Sequence, residues 1–201
     1  MSLAATTTVS IERPGLPRVT EILKNAGLIE SAFFTDETRD RGSAVHAAAH
    51  YLDENDLDWP SVDPSVLPRL RQYQKFKDDV KPEILAMEEQ VVNEPLQYAG
   101  RLDRRVKING REGVLDLKGP SECAWHRLQI MYYVACFPRQ LARWALYLSD
   151  ARYKLVEFRG REDWEACKAI LILTSWRAQY DRTSVQEMPR EISGGGGAAK
   201  A

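Results

Sequence analysis

The stretch that decides the fold is "GRLDRRVKINGREGVLDLKG", residues 100–119, which predicts a β-hairpin carrying two acids. Asn109-Gly110 separates two runs of alternating apolar and polar residues, and Asn-Gly is the strongest short-range signal for a two-residue hairpin turn. With this pair at the centre of the turn, Asp103 lies directly across from Asp116 on the same face of the sheet. Lys118, two residues beyond Asp116, projects from that face as well.

Two facing carboxylates predict either a bound cation or an unremarkable solvated surface. Cross-strand Cβ atoms lie about 5 Å apart, so Asp103 and Asp116 would repel each other unless positive charge lay between them. Carboxylate oxygens suit Mg2+ or Mn2+. An Asp-x-Lys triplet also occurs often by chance, and a bulged loop would shift the register. The hairpin alone therefore leaves both interpretations open.

The composition indicates one globular domain without an overall nucleic-acid signature. The chain has 201 residues, 44% of them hydrophobic, and a net charge of -1. Any DNA contact therefore needs a local basic patch, and residues 101–127, with seven Lys or Arg against four acids, are a candidate. The three cysteines are far apart, and no signal peptide or membrane-spanning run is evident, which predicts reduced thiols and a cytoplasmic protein.

The order of elements predicts an α/β domain with a central mixed sheet flanked by helices. We expect this domain to span residues 17–182, between a flexible segment at 1–16 and a flexible Gly-rich tail at 183–201. The expected helices cover 16–28, 43–54 with Ser43 as N-cap, 66–80, 121–137 and 161–180. The expected strands cover 84–92, the hairpin of 100–119 and a second hairpin within 142–159.

Five short motifs occur in an order that resembles the PD-(D/E)XK nuclease superfamily, and within it the RecB-like and phage-type exonuclease branch. They are "RGSAVH" at 41–46, "AMEEQVV" at 86–92, "YAGRLD" at 98–103, "DLK" at 116–118 and "QIMYY" at 129–133. The resemblance covers about residues 18–150 and implies a restriction-endonuclease-like core. The family often continues its DxK motif with Thr-Gly, whereas Gly119-Pro120 follows here.

The resemblance also implies roles for individual residues. Asp103, Asp116 and His46 match the metal-binding positions, and the backbone carbonyl of Leu117 is a further expected ligand. Lys118 would orient the attacking water or stabilise developing charge. The acidic strand offers Glu88, with Glu89 as the alternative. Two more side chains, which share one helix face, would lie beside the active site: Gln129 and Tyr133.

The activity implied is a metal-dependent deoxyribonuclease that uses Mg2+ or Mn2+, with one or two ions. An exonuclease of phage or bacterial recombination or repair is favoured over an endonuclease. The implied partners are DNA and a single-strand annealing protein, and an oligomer is conceivable. The alternative is a non-catalytic DNA-binding or assembly module. A zinc site on His46 and His50 is disfavoured, because the residues between them are all alanine and the HExxH acid is absent.

Overall fold

The computed structural model describes residues 15–29 and 35–183. Its helices are α1 (Val19–Asn25), α2 (Asp36–Asp53), α3 (Leu67–Val80), α4 (Trp125–Val134) and α5 (Glu162–Thr183). Its strands are β1 (Glu83–Asn93), β2 (Tyr98–Ile108), β3 (Arg111–Lys118), β4 (Ala142–Leu148) and β5 (Tyr153–Glu157). The segments predicted to be flexible are 1–16 and 183–201. Most of each, namely residues 1–14 and 184–201, lies outside the described residues.

The five strands form one mixed sheet in the order β1-β2-β3-β4-β5. Neighbouring strands are antiparallel except for β3 and β4, which run parallel. Parallel neighbours need a crossover connection, and α4 supplies it. The predicted mixed α/β fold with a helix-flanked central sheet is confirmed.

Two hydrophobic clusters hold the helices against the sheet. The first joins residues of α1, α4 and α5 to strand residues such as Leu102 and Val114. The second joins α2 and α3 to Leu115, Leu117 and other strand residues. Because consecutive strand residues point to opposite faces, Val114 and Leu115 enter different clusters. Within the part of the chain that the structure describes, no helix combines the length and apolarity needed to cross a bilayer.

The central hairpin turns at Asn109 and Gly110, as predicted. Both residues have positive φ, 48° and 76°, which a type I′ turn requires. The predicted register holds from the turn as far as the pair Arg104 and Leu115, where the ladder ends. Beyond that point the Asp103 carboxylate accepts the Leu117 N–H at 2.8 Å. A side chain therefore replaces a backbone partner just where the two acids lie.

Helix α2 is longer than the sequence predicts. It begins at Asp36, so Ser43 lies inside the helix and is not its N-cap. The Ser43 hydroxyl donates to the Arg39 carbonyl, 3.1 Å away and one turn earlier. Serine can satisfy its hydroxyl in this way within a helix, so its presence alone does not mark a helix start. As a consequence His46 lies in the middle of a continuous helix.

Candidate metal centre

Three side chains from three elements converge at the end of the β2–β3 ladder. They are His46 of α2, Glu88 of β1 and Asp103 of β2, and one ligand atom from each lies within 4.8 Å of the other two. Nδ1 of His46 is 3.4 Å from Oδ2 of Asp103. An imidazole and two carboxylates at this spacing match the donor types that divalent cations take in proteins.

Glu88 belongs to this cluster, and its backbone departs from the ordinary strand conformation. Glu88 lies between the β1 residues that pair with Arg104 and Leu102, which flank Asp103 on β2, and its φ is 50°. Few non-glycine residues adopt this left-handed conformation, and those that do often occur at functional sites. Glu89 lies elsewhere, with its Oε2 2.7 Å from Nε of Arg105. Of the two glutamates left open by the sequence, the structure brings Glu88 to the cluster.

Asp116 and Lys118 form a buried pair beside the cluster. The Asp116 side chain is 3% exposed and that of Lys118 12%. Nζ of Lys118 lies 2.5 Å from Oδ2 of Asp116 and 5.3 Å from the centre of the Trp125 ring. Asp116 does not belong to the group of three ligands within 4.8 Å. Its contact with Lys118 is the nearest interaction that the structure gives it.

Helix α4 fixes the lysine through two side chains one turn apart. Nζ of Lys118 donates to Oε1 of Gln129 at 2.6 Å, and Nε2 of Gln129 donates to the Tyr133 hydroxyl at 3.0 Å. The Tyr133 ring lies against Gly100 of β2, where an added Cβ would be only 2.6 Å from the ring. Gln129 and Tyr133 therefore lie beside the acids and orient Lys118.

The charges of the site shift the pKa values of its acids apart. Burial raises the pKa of Asp116 to about 6, the charge of Asp103 acts in the same direction, and Lys118 opposes both. Burial would also raise the pKa of Asp103, but His46 and Lys118 together hold it at about 2. For His46, burial lowers the pKa, and the Asp103 charge and hydrogen bond outweigh it and raise the pKa above 6.5.

Each acid of the site contacts a basic side chain of the protein. The pairs are Asp103 with His46 at 3.4 Å, Asp116 with Lys118 at 2.5 Å, and Glu88 with Arg101 at 3.0 Å. Converging carboxylates repel one another unless positive charge is placed among them. These basic groups supply that charge in the protein itself, and a divalent cation would supply it more compactly. The cluster therefore offers a divalent cation one imidazole and two carboxylates as donors.

The expected ligand role of the Leu117 carbonyl stays a prediction. The structure gives a partner for the backbone N–H of Leu117, which donates to Asp103. This bond holds the Asp103 carboxylate close to β3. His50 lies apart from the cluster and contacts Glu54 at 3.4 Å, so the two histidines of α2 do not share a site.

Several basic side chains of residues 101–127, the candidate DNA-contact segment, are paired with acids, and DNA contact by this segment stays a prediction. Arg105 pairs with both Glu89 and Glu112, and Arg111 pairs with Glu157. Arg104 is fully buried. The positive charges of this segment that remain at the candidate site are those of Arg101 and Lys118.

Arg104 belongs to a buried ionic cluster that the sequence analysis missed. Its Nε lies 2.9 Å from Oδ2 of Asp53 and 3.2 Å from the Tyr73 hydroxyl. The other Asp53 oxygen lies 2.9 Å from Nζ of Lys77. A sequence signal was available, because Arg104 lies at strand spacing between Leu102 and Val106, which are both fully buried.

Comparisons with known proteins include a weak structural likeness. No protein-family profile matches the sequence, and no curated protein matches it. A solved structure described as "Crystal structure of SSO0001" is 15% identical, with 91% of this chain and 90% of that chain covered and a TM-score of 0.39.

Proposed function

We propose that this protein is a divalent-metal-dependent nuclease that hydrolyses phosphodiester bonds of DNA. The observation that carries the proposal is the convergence of His46, Glu88 and Asp103, whose ligand atoms lie within 4.8 Å of one another beside the buried pair of Asp116 and Lys118. The motif resemblance supports it, since each of these residues matches a position that the nuclease superfamily uses.

The residues divide the work of phosphodiester hydrolysis between them. The three ligands and Asp116 would hold Mg2+ or Mn2+, which when bound supplies Lewis acidity toward the phosphate and water oxygens. Lys118 places a positive charge next to the acids, where negative charge develops on the phosphate during reaction. Gln129 restrains Lys118, because its amide oxygen accepts from Nζ at 2.6 Å.

An exonuclease of phage or bacterial recombination or repair is the form of the activity that we favour, on the resemblance. Its partners would be DNA and a single-strand annealing protein. The second candidate is a non-catalytic DNA-binding or assembly module. One observation favours that candidate: every acid of the site already contacts a basic side chain, an arrangement that needs no metal to balance its charge.

The test is a cleavage assay on linear and circular DNA with Mg2+, with Mn2+ and with EDTA. We expect metal-dependent digestion, confined to linear DNA for an exonuclease, and a loss of about 100-fold or more in Asp103→Asn and Asp116→Asn. Asp79→Asn is the matched control, because Asp79 is an exposed acid that pairs with Lys75 on α3. DNA binding without cleavage in any metal would establish the module instead.

A further inference from the structure

We infer that Arg101 is a DNA-phosphate contact that metal binding releases. In the structure its guanidinium pairs with Glu88, and a divalent cation that took the Glu88 carboxylate would free Arg101 for the substrate. This inference rests on the proposed function and adds to it a residue that links metal binding to DNA binding.

Arg101 forms a partly exposed ion pair with Glu88. Its Nε lies 3.0 Å from Oε2 of Glu88, and it precedes Asp103 by two residues on β2. The Arg101 side chain is 61% exposed, whereas that of Glu88 is 31% exposed. A partly exposed ion pair of this kind contributes little to stability, so its arginine can leave at small cost.

Arg101 and a metal ion would compete for the same carboxylate, that of Glu88. Glu88 belongs to the three-residue cluster, so an ion bound there would compete with Arg101 for the Glu88 carboxylate. Positive charge on the ion would also repel the nearby guanidinium. Lys118 differs from Arg101 in this respect, because its side chain is only 12% exposed and donates to Gln129, and it would stay in place.

The released guanidinium of Arg101 is suited to bind a phosphate group. Arginine offers a planar fork of N–H donors that matches phosphate geometry, and it keeps its charge at any working pH. The neighbouring arginines of the hairpin are engaged: Arg104 is buried with Asp53, and Arg105 holds Glu89 and Glu112. Arg101 is exposed and lies beside the cluster, so it is placed to contact a phosphate of the bound strand.

Titration with Mn2+ alone tests the competition. Calorimetric titration of the metal-free protein would compare wild type with Arg101→Gln and Arg111→Gln. Arg111 is the matched control, since it is an exposed arginine of the same hairpin whose partner is Glu157, 2.6 Å away. We expect Arg101→Gln to bind Mn2+ about 2- to 5-fold more tightly, because both the competitor and the repulsion are removed. Arg111→Gln should match wild type.

A DNA-binding experiment tests the phosphate contact of Arg101. Binding of a fluorescein-labelled DNA duplex would be measured by anisotropy in Ca2+ and in EDTA over a range of salt concentrations. With Ca2+ present, we expect Arg101→Gln to bind DNA more weakly and to reduce the slope of log K against log salt by about 0.9, the value for one lost phosphate contact. In EDTA the effect should be smaller, because Arg101 is then held by Glu88. Arg101→Lys should restore part of the loss.

The two measurements separate failure of this inference from failure of the proposed function. Tighter Mn2+ binding together with weaker DNA binding in Arg101→Gln supports the inference. Unchanged or weaker Mn2+ binding, or DNA binding equal to that of Arg111→Gln, overturns it while leaving the nuclease proposal intact. A wild-type protein that binds neither Mn2+ nor DNA overturns both.

Discussion

Replacement of Gly100 by alanine should destabilise the protein and also impair its site. An added Cβ at Gly100 would lie 2.6 Å from Cε1 of the Tyr133 ring and 3.1 Å from Cγ2 of Val19. The Tyr133 side chain is buried and its hydroxyl accepts a hydrogen bond from Gln129, so the ring cannot turn away freely. Either β2 or α4 must therefore move.

The expected loss is about 1–3 kcal/mol, the usual range for overpacking a filled core. For a chain of this size each kcal/mol lowers the melting temperature by about 2–4 °C, so the change is easily measured by circular dichroism or calorimetry. Gly42→Ala is the control. Gly42 lies inside α2 with no atom within 4 Å of an added Cβ, and alanine there should raise stability by about 0.5–1 kcal/mol.

A double-mutant cycle identifies the clash. In a Tyr133→Leu background the Gly100→Ala penalty should shrink by more than about 0.5 kcal/mol, because the aromatic edge has gone. Cleavage by Gly100→Ala should also fall below that of Gly42→Ala, since a displaced Tyr133 no longer positions Gln129 and Lys118. A melting temperature for Gly100→Ala at or above that of wild type would refute this packing of the glycine against the ring.

Three further predictions concern strain, buried charge and pH. Glu88→Gly should be about 1 kcal/mol more stable than Glu88→Ala in urea denaturation, because glycine adopts a φ of 50° without penalty, and equal stability would contradict the strain. Asp53→Ala should lose about 3–5 kcal/mol by the same assay because it leaves buried Arg104 unpaired, whereas exposed Asp79→Ala should lose far less. Burial lowers the pKa of His126 to about 3, so below about pH 6.5 the unfolded chain binds a proton that the folded protein does not bind. The free energy of unfolding should therefore decrease as the pH is lowered from about 6.5 to about 3. If His126→Gln lost stability as steeply over this pH range as wild type, His126 would not be the cause.

Local features of the sequence predicted the fold well where the determinants are themselves local. Asn109-Gly110 fixed the turn and the hairpin register as far as Arg104 and Leu115, because the turn type sets which residues face each other. The start of α2 was mispredicted, since Ser43 is an N-cap residue by type yet satisfies its hydroxyl inside the helix.

The candidate site was predictable as a set of residue types and unpredictable in its geometry. The sequence left both Glu88 and Glu89 open, and the left-handed φ at Glu88 is a backbone feature that strand alternation does not predict. Direct opposition of Asp103 and Asp116 was expected, but the ladder ends one pair earlier and the Leu117 N–H binds the Asp103 carboxylate. Neither the left-handed φ of Glu88 nor the early end of the β2–β3 ladder has a local sequence signal, because both depend on how neighbouring strands pair.

Long-range contacts on either side of the sheet are what bring the ligands together. Asp53 follows His46 by two helical turns on α2, and its buried contact with Arg104, the residue next to Asp103, joins positions 51 residues apart in the chain. On the other face, Gly100 lets the Tyr133 ring approach β2, and Gln129 on the same helix reaches Lys118. A buried ion pair contributes little net stability compared with apolar packing, so its value here lies in fixing α2 in one position on the strand. Variants that weaken these contacts should therefore disturb Mn2+ binding even where the protein remains folded.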